Sequence, residues 1–178
     1  MTEKATKAPA EFRPIRIAVM TVSDTRNEDS DTSGNALLDR VSQAGHVVAE
    51  KVIVRDDKYQ VRAHLSRWIA DDNTNAVLIT GGTGLTGRDI TPEAVAPLFD
   101  KTIDGFGELF RALSFEEVRT STIQSRALAG VANGTFIFCL PGSTGACKLA
   151  WDKIIQHQLD GRHRPCNLIE LMPRTREQ

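Results

Sequence analysis

The sequence lacks the features of membrane, secreted and nucleic-acid-binding proteins. No apolar run approaches the roughly 18 residues that a bilayer-spanning helix needs, and residues 1–11 lack the apolar stretch of a signal peptide. The three cysteines are an odd number without CxxC spacing, which indicates free thiols and a reducing compartment. Lys and Arg form no cluster that could displace counterions from nucleic acid. We therefore expect a cytoplasmic protein with no membrane or nucleic-acid partner.

The composition and length are those of one ordinary globular domain. Hydrophobic residues make up 40% and charged residues 25% of the 178 residues, and the formal net charge is -1. The length suits one domain and would be tight for two. We predict a flexible N-terminal tail over residues 1–12 and a single folded domain over residues 13–178.

The first half of the chain alternates short apolar runs with amphipathic segments. Buried strands are predicted at residues 15–22, 46–54 and 76–80. Helices are predicted between them, the first through residues 36–41 with Gly45 as its C-cap, the second over 58–72. Because helical crossovers join parallel strands, this order predicts an α/β fold with three layers and a doubly wound, mostly parallel sheet.

The second half predicts more helices and one hairpin. Thr91 as N-cap and Pro92 at the first helical position predict a helix start. Asn133-Gly134 joins two apolar runs, which favours a type I′ hairpin and an antiparallel edge on the sheet. Further helices are predicted at residues 106–118, 120–128 and 144–159, followed by a polar tail.

Three turns are expected to form a ligand site at one edge of the sheet. Ligands of open α/β sheets bind beyond the carboxyl ends of the strands, where the strand order reverses. A flavodoxin-like order would place the first and third strands side by side there. The turns that follow the predicted strands are Ser23-Asp24, Thr80 to Gly84 and Pro141-Gly142-Ser143. We expect all three at the same rim.

The segment after the third strand, Thr-Gly-Gly-Thr-Gly at residues 80–84, is the sharpest local signal. Glycines accept positive φ and expose backbone N–H groups, which suits a phosphate group. A helix starting at Thr91 would add the positive end of its dipole. The alternative is a simple tight turn between strand and helix.

Two better-known glycine motifs fit poorly. Gly82, Gly84 and Gly87 match the GxGxxG dinucleotide pattern, but the predicted helix begins too late and this is the third strand–helix unit. Residues 142–149 resemble a P-loop, but Cys147 replaces a required glycine and Leu149 a required Ser or Thr. Neither a Rossmann site nor a Walker-type ATPase is favoured.

Acidic residues close to the glycine segment predict a magnesium site. Asp89 follows this segment and lies inside the predicted phosphate cradle, and Asp56-Asp57 follow the second strand. A carboxylate beside a polyphosphate needs a cation between them, and Mg²⁺ prefers one or two carboxylates plus phosphate oxygens. The alternatives are a helix-start charge for Asp89 and a solvated turn for Asp56-Asp57. Glu108 is a further candidate, or a loop-to-helix junction.

Four motifs resemble, in order, those of the MoaB/MogA family, which includes the gephyrin G domain. They are Thr80 to Gly84, Arg88-Asp89 with Thr91 to Ala94, Gly105 to Glu108, and Leu140 to Ser143. The resemblance runs from about Arg13 to the C-terminus. It implies an α/β fold that binds molybdopterin and uses Mg-ATP to adenylylate the pterin's terminal phosphate, releasing pyrophosphate.

The resemblance also implies roles for individual residues. Asp89 and Asp56 would be the catalytic aspartates and would hold Mg²⁺, with Asp57 as the alternative to Asp56. The residues expected to bind substrate or nucleotide are Ser23, Asp24, Thr80, Gly81, Gly82, Thr83, Gly84, Thr91, Pro92, Glu108, Pro141, Gly142 and Ser143. Relatives form trimers or hexamers, so a homo-oligomer is implied, with other proteins of molybdenum cofactor biosynthesis as further partners.

Two other functions stay open at this point. One is a protein of the same pathway that binds molybdopterin without adenylylating it. The other is a flavodoxin-like FMN carrier. The second is disfavoured because Asp24, Glu28, Asp29 and Asp31 follow the first strand, where they would repel the FMN phosphate.

Overall fold

The structure is a computed structural model that describes residues 11–177. The predicted tail over residues 1–12 therefore lies, apart from Glu11 and Phe12, outside the described residues. The strands are β1 (Arg16–Val22), β2 (Val47–Val54), β3 (Ala76–Thr80), β4 (Lys101–Thr102), β5 (Leu128–Ala132) and β6 (Thr135–Leu140). The α-helices are α1 (Thr32–Gln43), α2 (Lys58–Ala70), α3 (Thr91–Val95), α4 (Asp104–Val118), α5 (Thr144–Ala150), α6 (Gln156–Gln158) and α7 (Leu168–Leu171).

The strands form one sheet in the order β2-β1-β3-β6-β5-β4. The first four of these are parallel, whereas β5 runs antiparallel to β6 and β4 antiparallel to β5. The expected adjacency of the first and third strands is confirmed. Thr21 is paired with Thr80, and Thr80 with Leu140. The carboxyl ends of β1, β3 and β6 are therefore level with one another at one rim.

The hairpin between β5 and β6 turns at Asn133-Gly134. Both residues have positive φ, 44° and 82°, as a type I′ turn requires. The prediction of an antiparallel hairpin is confirmed. The outermost strand is β4, because Lys101 and Thr102 pair with Val131 and Gly130. Two residues are too few to give an alternating pattern, so the sequence offered no signal for β4.

The sheet is covered on both faces, which confirms the three-layer prediction. Side chains of β1 alternate between the faces: Ile17 joins one apolar core, and Ala18 the other. The first core is completed by α1, α4 and α5, and it contains Trp151. The second is completed by α2 and α3, and it contains Trp68. Each core removes a set of apolar side chains from water, which is the main stabilising contribution in such a fold.

Of the helices predicted in the second half of the chain, the one at residues 120–128 is wrong. Residues 120–128 do not form an α-helix: a 3₁₀ helix covers Arg119–Gln124, and Leu128 begins β5. Leu128 pairs with Cys139 of β6, and this pairing overrides the helical spacing at the end of the segment. The helix predicted over 144–159 is confirmed: residues 144–158 are helical without a break, and a π-helical turn, Trp151–Ile155, joins α5 to α6. The polar tail contains α7, whose N-cap Asn167 accepts a hydrogen bond from the Glu170 N–H.

The helix start at Thr91 also differs from the prediction. Ile90 occupies the N-cap position, and α3 is only five residues long. The hydroxyl of Thr91 donates to the Gly81 carbonyl at 2.7 Å instead of capping the helix. None of the helices in residues 11–177 has both the length and the apolar character needed to cross a membrane.

Candidate functional site

The turns after β1, β3 and β6 pack directly against one another. The Gly81 N–H donates to the Leu140 carbonyl at 3.0 Å, and the Thr80 hydroxyl donates to the Pro141 carbonyl at 3.0 Å. A Cβ atom on Gly81 would lie 2.3 Å from the Val22 carbonyl oxygen, and its φ is +102°. Only glycine fits this close approach and this backbone conformation. Three segments far apart in sequence therefore meet at one rim.

A cleft of about 490 Å³ opens beside this rim. Its volume lies within the roughly 300–1,000 Å³ of sites that bind small molecules and cofactors. Gly82, Thr83, Gly84 and Asp89 form one side, and Pro141, Gly142 and Ser143 form another. Gly145, Ala146 and Leu149 of α5 also line the cleft, and the opposite wall comes from α4 and the 3₁₀ helix region that follows it, with Phe110, Ser114, Glu117, Val118, Ser121, Thr122, Gln124 and Ser125. The cleft thus has a turn-rich polar side and a mixed apolar and hydroxyl-bearing side.

The loop from the glycine segment to α3 has a fixed base at Gly82 and an exposed tip. At the base, the Thr91 N–H donates to the Gly82 carbonyl at 2.9 Å, and a Cβ atom on Gly82 would lie 2.5 Å from the Thr91 hydroxyl oxygen. Residues 85–88 are exposed. Because the first N–H of α3 bonds to this segment and α3 is a single short helix, the predicted contribution of a helix dipole to the site is largely lost.

Asp89 lies in the cleft with a well-supported carboxylate. Its Oδ2 accepts hydrogen bonds from the Thr86 N–H at 2.8 Å and from the Thr86 hydroxyl at 2.7 Å. Partial burial acts to raise the pKa of Asp89, but these bonds and the charge of Arg126 outweigh it and hold the pKa below its usual value. Asp89 is therefore ionised at neutral pH.

Asp56 lies close to Gly82 but is not among the residues that line the cleft. Its Oδ2 accepts a hydrogen bond from the Asp24 N–H at 2.9 Å, and its Oδ1 lies 3.6 Å from the Cβ position of Gly82. Burial raises the pKa of Asp56, and the carboxylates of Asp24 and Asp89 raise it further.

Asp57 has a different role from its neighbour Asp56. It is the N-cap of α2, and its Oδ1 accepts hydrogen bonds from the N–H groups of Tyr59 at 2.8 Å and Gln60 at 3.1 Å. A capping carboxylate is already committed to helix amides. This placement favours Asp56 over Asp57 as the second carboxylate of the site.

The carboxylates fit a magnesium ion that arrives with phosphate. Within residues 11–177, no group of three or more His, Cys, Asp or Glu side chains is arranged to hold a metal ion. Mg²⁺ is commonly bound by one or two carboxylates together with phosphate oxygens and water. Asp56 lies next to Gly82 and Asp89 next to Gly84, and the two carboxylates could provide that partial donor set.

Several predicted site residues hold the rim together rather than face the cleft. Thr80 and Thr91 are buried and donate hydrogen bonds to carbonyls of the neighbouring turns. The Ser23 hydroxyl accepts from the N–H groups of Thr25 and Arg26, both at 3.2 Å. Asp24 is exposed and forms an ion pair with Arg88. Pro92 lies at the start of α3.

The predicted site residue Glu108 is not brought to the cleft. Phe106, Phe110 and Ser114 form the buried side of α4, whereas Glu108 is exposed and does not line the cleft. Glu117, one of the cleft-lining residues, lies near the end of the same helix. Gly105 and Gly107 belong to the first turns of α4, so the junction interpretation of this motif fits the structure.

Cys147 lies beneath the rim and is not a reactive group. Its Sγ is 3.1 Å from the Thr80 hydroxyl, and the residue is fully buried. Burial raises the pKa of the Cys147 thiol to about 11, so it is protonated at neutral pH. Cys139 is also buried, and all three cysteines are free thiols, as predicted.

Arg126 is the main site residue that sequence reasoning missed. Its Nε donates to the Gly84 carbonyl at 2.7 Å and its Nη2 to the Asp89 carbonyl at 2.8 Å. Its Nη1 forms an ion pair with Glu93. Arg126 is 37 residues from Asp89 in the chain and falls in a segment that was predicted to be helical. The one signal in the sequence that could have pointed to Arg126 is a charged residue just before the buried strand β5.

Comparison with known proteins identifies the family. A family model described as a probable molybdopterin binding domain matches residues 18–161. The chain is 60% identical over 157 residues to molybdenum cofactor biosynthesis protein B of Escherichia coli (strain K12), a match that covers 88% of this chain and 92% of that protein. A crystal structure of a molybdenum cofactor biosynthesis protein B matches with a TM-score of 0.84 and 39% identity, covering 95% of this chain and 100% of that one.

A second solved structure, of the tungsten cofactor synthesizing protein MoaB from Pyrococcus furiosus, has a TM-score of 0.72 and 39% identity. The match covers 80% of this chain and 91% of that chain. The four motifs on which the resemblance depends all lie inside the matched region, and each contributes to the rim, the cleft or α4. The chain therefore belongs to the MoaB/MogA family of molybdenum cofactor biosynthesis proteins.

Proposed function

We propose that the protein binds molybdopterin and transfers an adenylyl group from Mg-ATP to its terminal phosphate. Membership of the family supports the coarser statement, a role in molybdenum cofactor biosynthesis. The observation that supports the finer one is the position of two carboxylates beside a glycine segment that faces a cleft of substrate size: Asp89 lines the cleft next to Gly84, and Asp56 lies next to Gly82.

One side of the cleft suits the phosphate groups of the substrates, and the other side suits a ring. Both substrates carry phosphate, so the reacting ends need backbone N–H donors and a cation. The glycine turn at residues 81–84 and the turn at residues 141–143 are the amide-rich segments at the rim. The opposite wall combines apolar side chains such as Phe110 and Val118 with hydroxyls such as Ser114, which suits a flat heteroaromatic group.

The reaction is an in-line phosphoryl substitution. An oxygen of the terminal pterin phosphate forms a bond to the α-phosphorus of ATP, the bond from that phosphorus to the β-bridging oxygen breaks, and pyrophosphate leaves. A bound magnesium ion supplies charge neutralisation and alignment of the phosphates. Asp89 and Asp56 are the residues that would hold it. Asp89 is ionised at neutral pH and is held in place by Thr86 and Arg126.

The test is pyrophosphate release from ATP in the presence of molybdopterin. We expect release that requires both Mg²⁺ and the pterin. Asp89→Asn should abolish release and leave molybdopterin binding within about threefold of the wild type, because the carboxylate acts on the phosphates and not on the ring. Normal turnover by Asp89→Asn would contradict the assignment.

A second candidate function is molybdopterin binding without chemistry. The mixed wall of the cleft supports it, because that surface needs no carboxylate to bind a pterin. Tight molybdopterin binding with no magnesium-dependent pyrophosphate release would favour this alternative over the adenylyl transfer.

We also propose that the protein is a homo-oligomer, a trimer or a hexamer. The family resemblance implies it, and large apolar side chains are exposed near the end of α4: Phe115 is 41%, Val118 47% and Ile123 79% exposed. Exposed apolar side chains close together are typical of protein interfaces. Light scattering on the purified protein should give a multiple of the chain mass, and Ile123→Glu should shift it towards the monomer. A monomeric wild type would contradict this proposal.

A further inference from the structure

Arg126 forms hydrogen bonds on both sides of the exposed tip, residues 85–88, that follows the glycine segment. The Arg126 backbone N–H donates to the Thr83 carbonyl at 3.0 Å. Its side chain then donates to the Gly84 carbonyl at 2.7 Å and to the Asp89 carbonyl at 2.8 Å. Residues 85–88 lie between these two acceptors and are exposed. The Arg126 guanidinium therefore connects the two ends of the exposed tip.

The other hydrogen bonds of the Asp89 carboxylate come from the same loop, from Thr86 and Gly84. Thr86 donates two hydrogen bonds to the Asp89 carboxylate, the Gly84 N–H also interacts with it, and the Asp89 N–H donates back to the Thr86 carbonyl at 3.0 Å. Because Thr86 belongs to the same exposed tip, these bonds would move with the loop. The bond from Arg126 to the Asp89 carbonyl joins the loop to the sheet.

Arg126 is well placed to act as such an anchor. It lies between the 3₁₀ helix Arg119–Gln124 and β5, two residues before Leu128, where pairing with β6 begins. Its side chain is 30% exposed, and Glu93 at the start of α3 pairs with its remaining nitrogen. A guanidinium presents several N–H donors in a fixed plane, whereas a lysine ammonium has no such fork.

We propose that Arg126 is a positioning residue for the adenylyl transfer: it holds the Gly84 and Asp89 carbonyls and thereby sets the Asp89 carboxylate at the cleft. This inference rests on the proposed function of Asp89. It predicts that the fork of donors matters, and not only the positive charge. Lysine at this position should therefore fail to replace arginine.

The experiment compares Arg126→Lys and Arg126→Gln with a matched pair, Arg40→Lys and Arg40→Gln. Arg40 also has a partly buried guanidinium, 22% exposed, and its Nε lies 2.8 Å from Asp152 Oδ1. This ion pair does not involve the glycine segment. Two quantities are measured on the full-length chain. One is hydrogen–deuterium exchange of a peptide covering residues 81–90, and the other is kcat and KM for ATP-dependent pyrophosphate release with molybdopterin.

We expect exchange in residues 85–89 to be at least about tenfold faster in both Arg126 variants, since local opening would no longer be resisted by the anchor. We expect kcat to fall by about 10- to 100-fold, with KM for molybdopterin changed less than about threefold, because small displacements of reacting groups lower the rate more than binding. The Arg40 variants should match the wild type in both quantities.

Wild-type exchange and wild-type kcat in Arg126→Lys would overturn the inference, because a point charge would then suffice. Equal losses in the Arg40 variants would also overturn it, since the effect would then be general destabilisation. A wild-type protein that releases no pyrophosphate would refute the proposed function and the catalytic part of this inference. The exchange measurement decides the anchoring of the loop in either case.

Discussion

Asp24 and Asp56 exchange backbone-to-carboxylate hydrogen bonds across the ends of β1 and β2. The Asp24 N–H donates to Asp56 Oδ2 at 2.9 Å, and the Asp56 N–H donates to Asp24 Oδ1 at 3.3 Å. The pair joins two turns that come from strands 32 residues apart in the chain. It also keeps the Asp56 carboxylate beside Gly82 while two other acidic groups lie close by. Repulsion between these acidic groups comes at a cost in stability.

Replacing Asp56 should therefore stabilise the fold. Burial and neighbouring carboxylates raise the pKa of Asp56 above its ordinary value of 3.8. The folded state then binds the proton more tightly than the unfolded state, so stability is lost as the pH rises through the folded pKa. Asp56→Asn should have a higher free energy of unfolding than the wild type at about pH 7, with a smaller difference near pH 4. Urea unfolding at the two pH values measures this, and a less stable variant at neutral pH would contradict the account.

The neighbouring aspartates give a matched pair for activity. Asp56→Asn should lower kcat for pyrophosphate release by at least about 100-fold, because a proposed metal-holding carboxylate is lost. Asp57→Asn should stay within about threefold of the wild type, since Asn caps a helix about as well as Asp does. Steady-state kinetics at saturating Mg²⁺ measures both variants. The reverse order of effects would transfer the role of second carboxylate to Asp57.

A methyl group on Gly81 should disrupt the rim. Its Cβ would lie 2.3 Å from the Val22 carbonyl oxygen, and its φ of +102° disfavours any side chain. We expect Gly81→Ala to lower the free energy of unfolding by about 2–4 kcal/mol, the range typical of overpacking combined with backbone strain. Gly87→Ala is the control, because a Cβ there has no neighbour within 4 Å. Denaturant unfolding should show Gly87→Ala within about 1 kcal/mol of the wild type; equal losses in both variants would contradict the proposed packing.

The buried ion pair between Asp31 and Lys51 should contribute strongly to the free energy of unfolding. It lies beneath the turn that follows β1. Asp31 is fully buried, caps α1, accepts from the Thr21 hydroxyl at 2.8 Å, and lies 3.1 Å from the Lys51 ammonium. Lys51→Met would leave the carboxylate without its cation and should lower the free energy of unfolding by about 3–5 kcal/mol at neutral pH. Lys153→Met, at an exposed position, should have little effect.

The same pair has a pH dependence of opposite sign to that of Asp56. Burial acts to raise the pKa of Asp31, but the bonds from Gly34, Thr21 and Lys51 outweigh it, and the pKa lies below its ordinary value of 3.8. The stability that Asp31 contributes is therefore present above pH 3.8 and is lost as the pH falls through the folded pKa. The difference between wild type and Lys51→Met should shrink on acidification, and a constant difference would contradict this assignment.

The sheet could be predicted from the sequence where strands are long and apolar or where a turn has strict requirements. β3 matches its predicted bounds, Ala76–Thr80, because all five residues are buried on both faces of the sheet. Asn133-Gly134 predicted the hairpin because both positions need positive φ. Leu128 was assigned to a helix because its strand is set by pairing with Cys139, a partner that spacing along the chain does not reveal.

The site was only partly readable for the same reason. The turns at Gly81 and Gly142 carry their own signal in glycine content, and the sheet topology brings them together. Arg126 reaches Asp89 through the fold rather than through a local motif, and Thr91 bonds to a carbonyl ten residues away instead of capping its helix. Contacts of this kind depend on tertiary packing and have no periodic signature in the sequence.

The most direct test is a crystal structure of the protein with ATP and Mg²⁺. We expect the triphosphate against the backbone N–H groups of residues 82–84, with the metal ion held between phosphate oxygens and the carboxylates of Asp89 and Asp56. The turn at residues 141–143 should border the same ligand. Nucleotide bound elsewhere on the molecule, with neither Asp56 nor Asp89 near the metal ion, would contradict the proposed site.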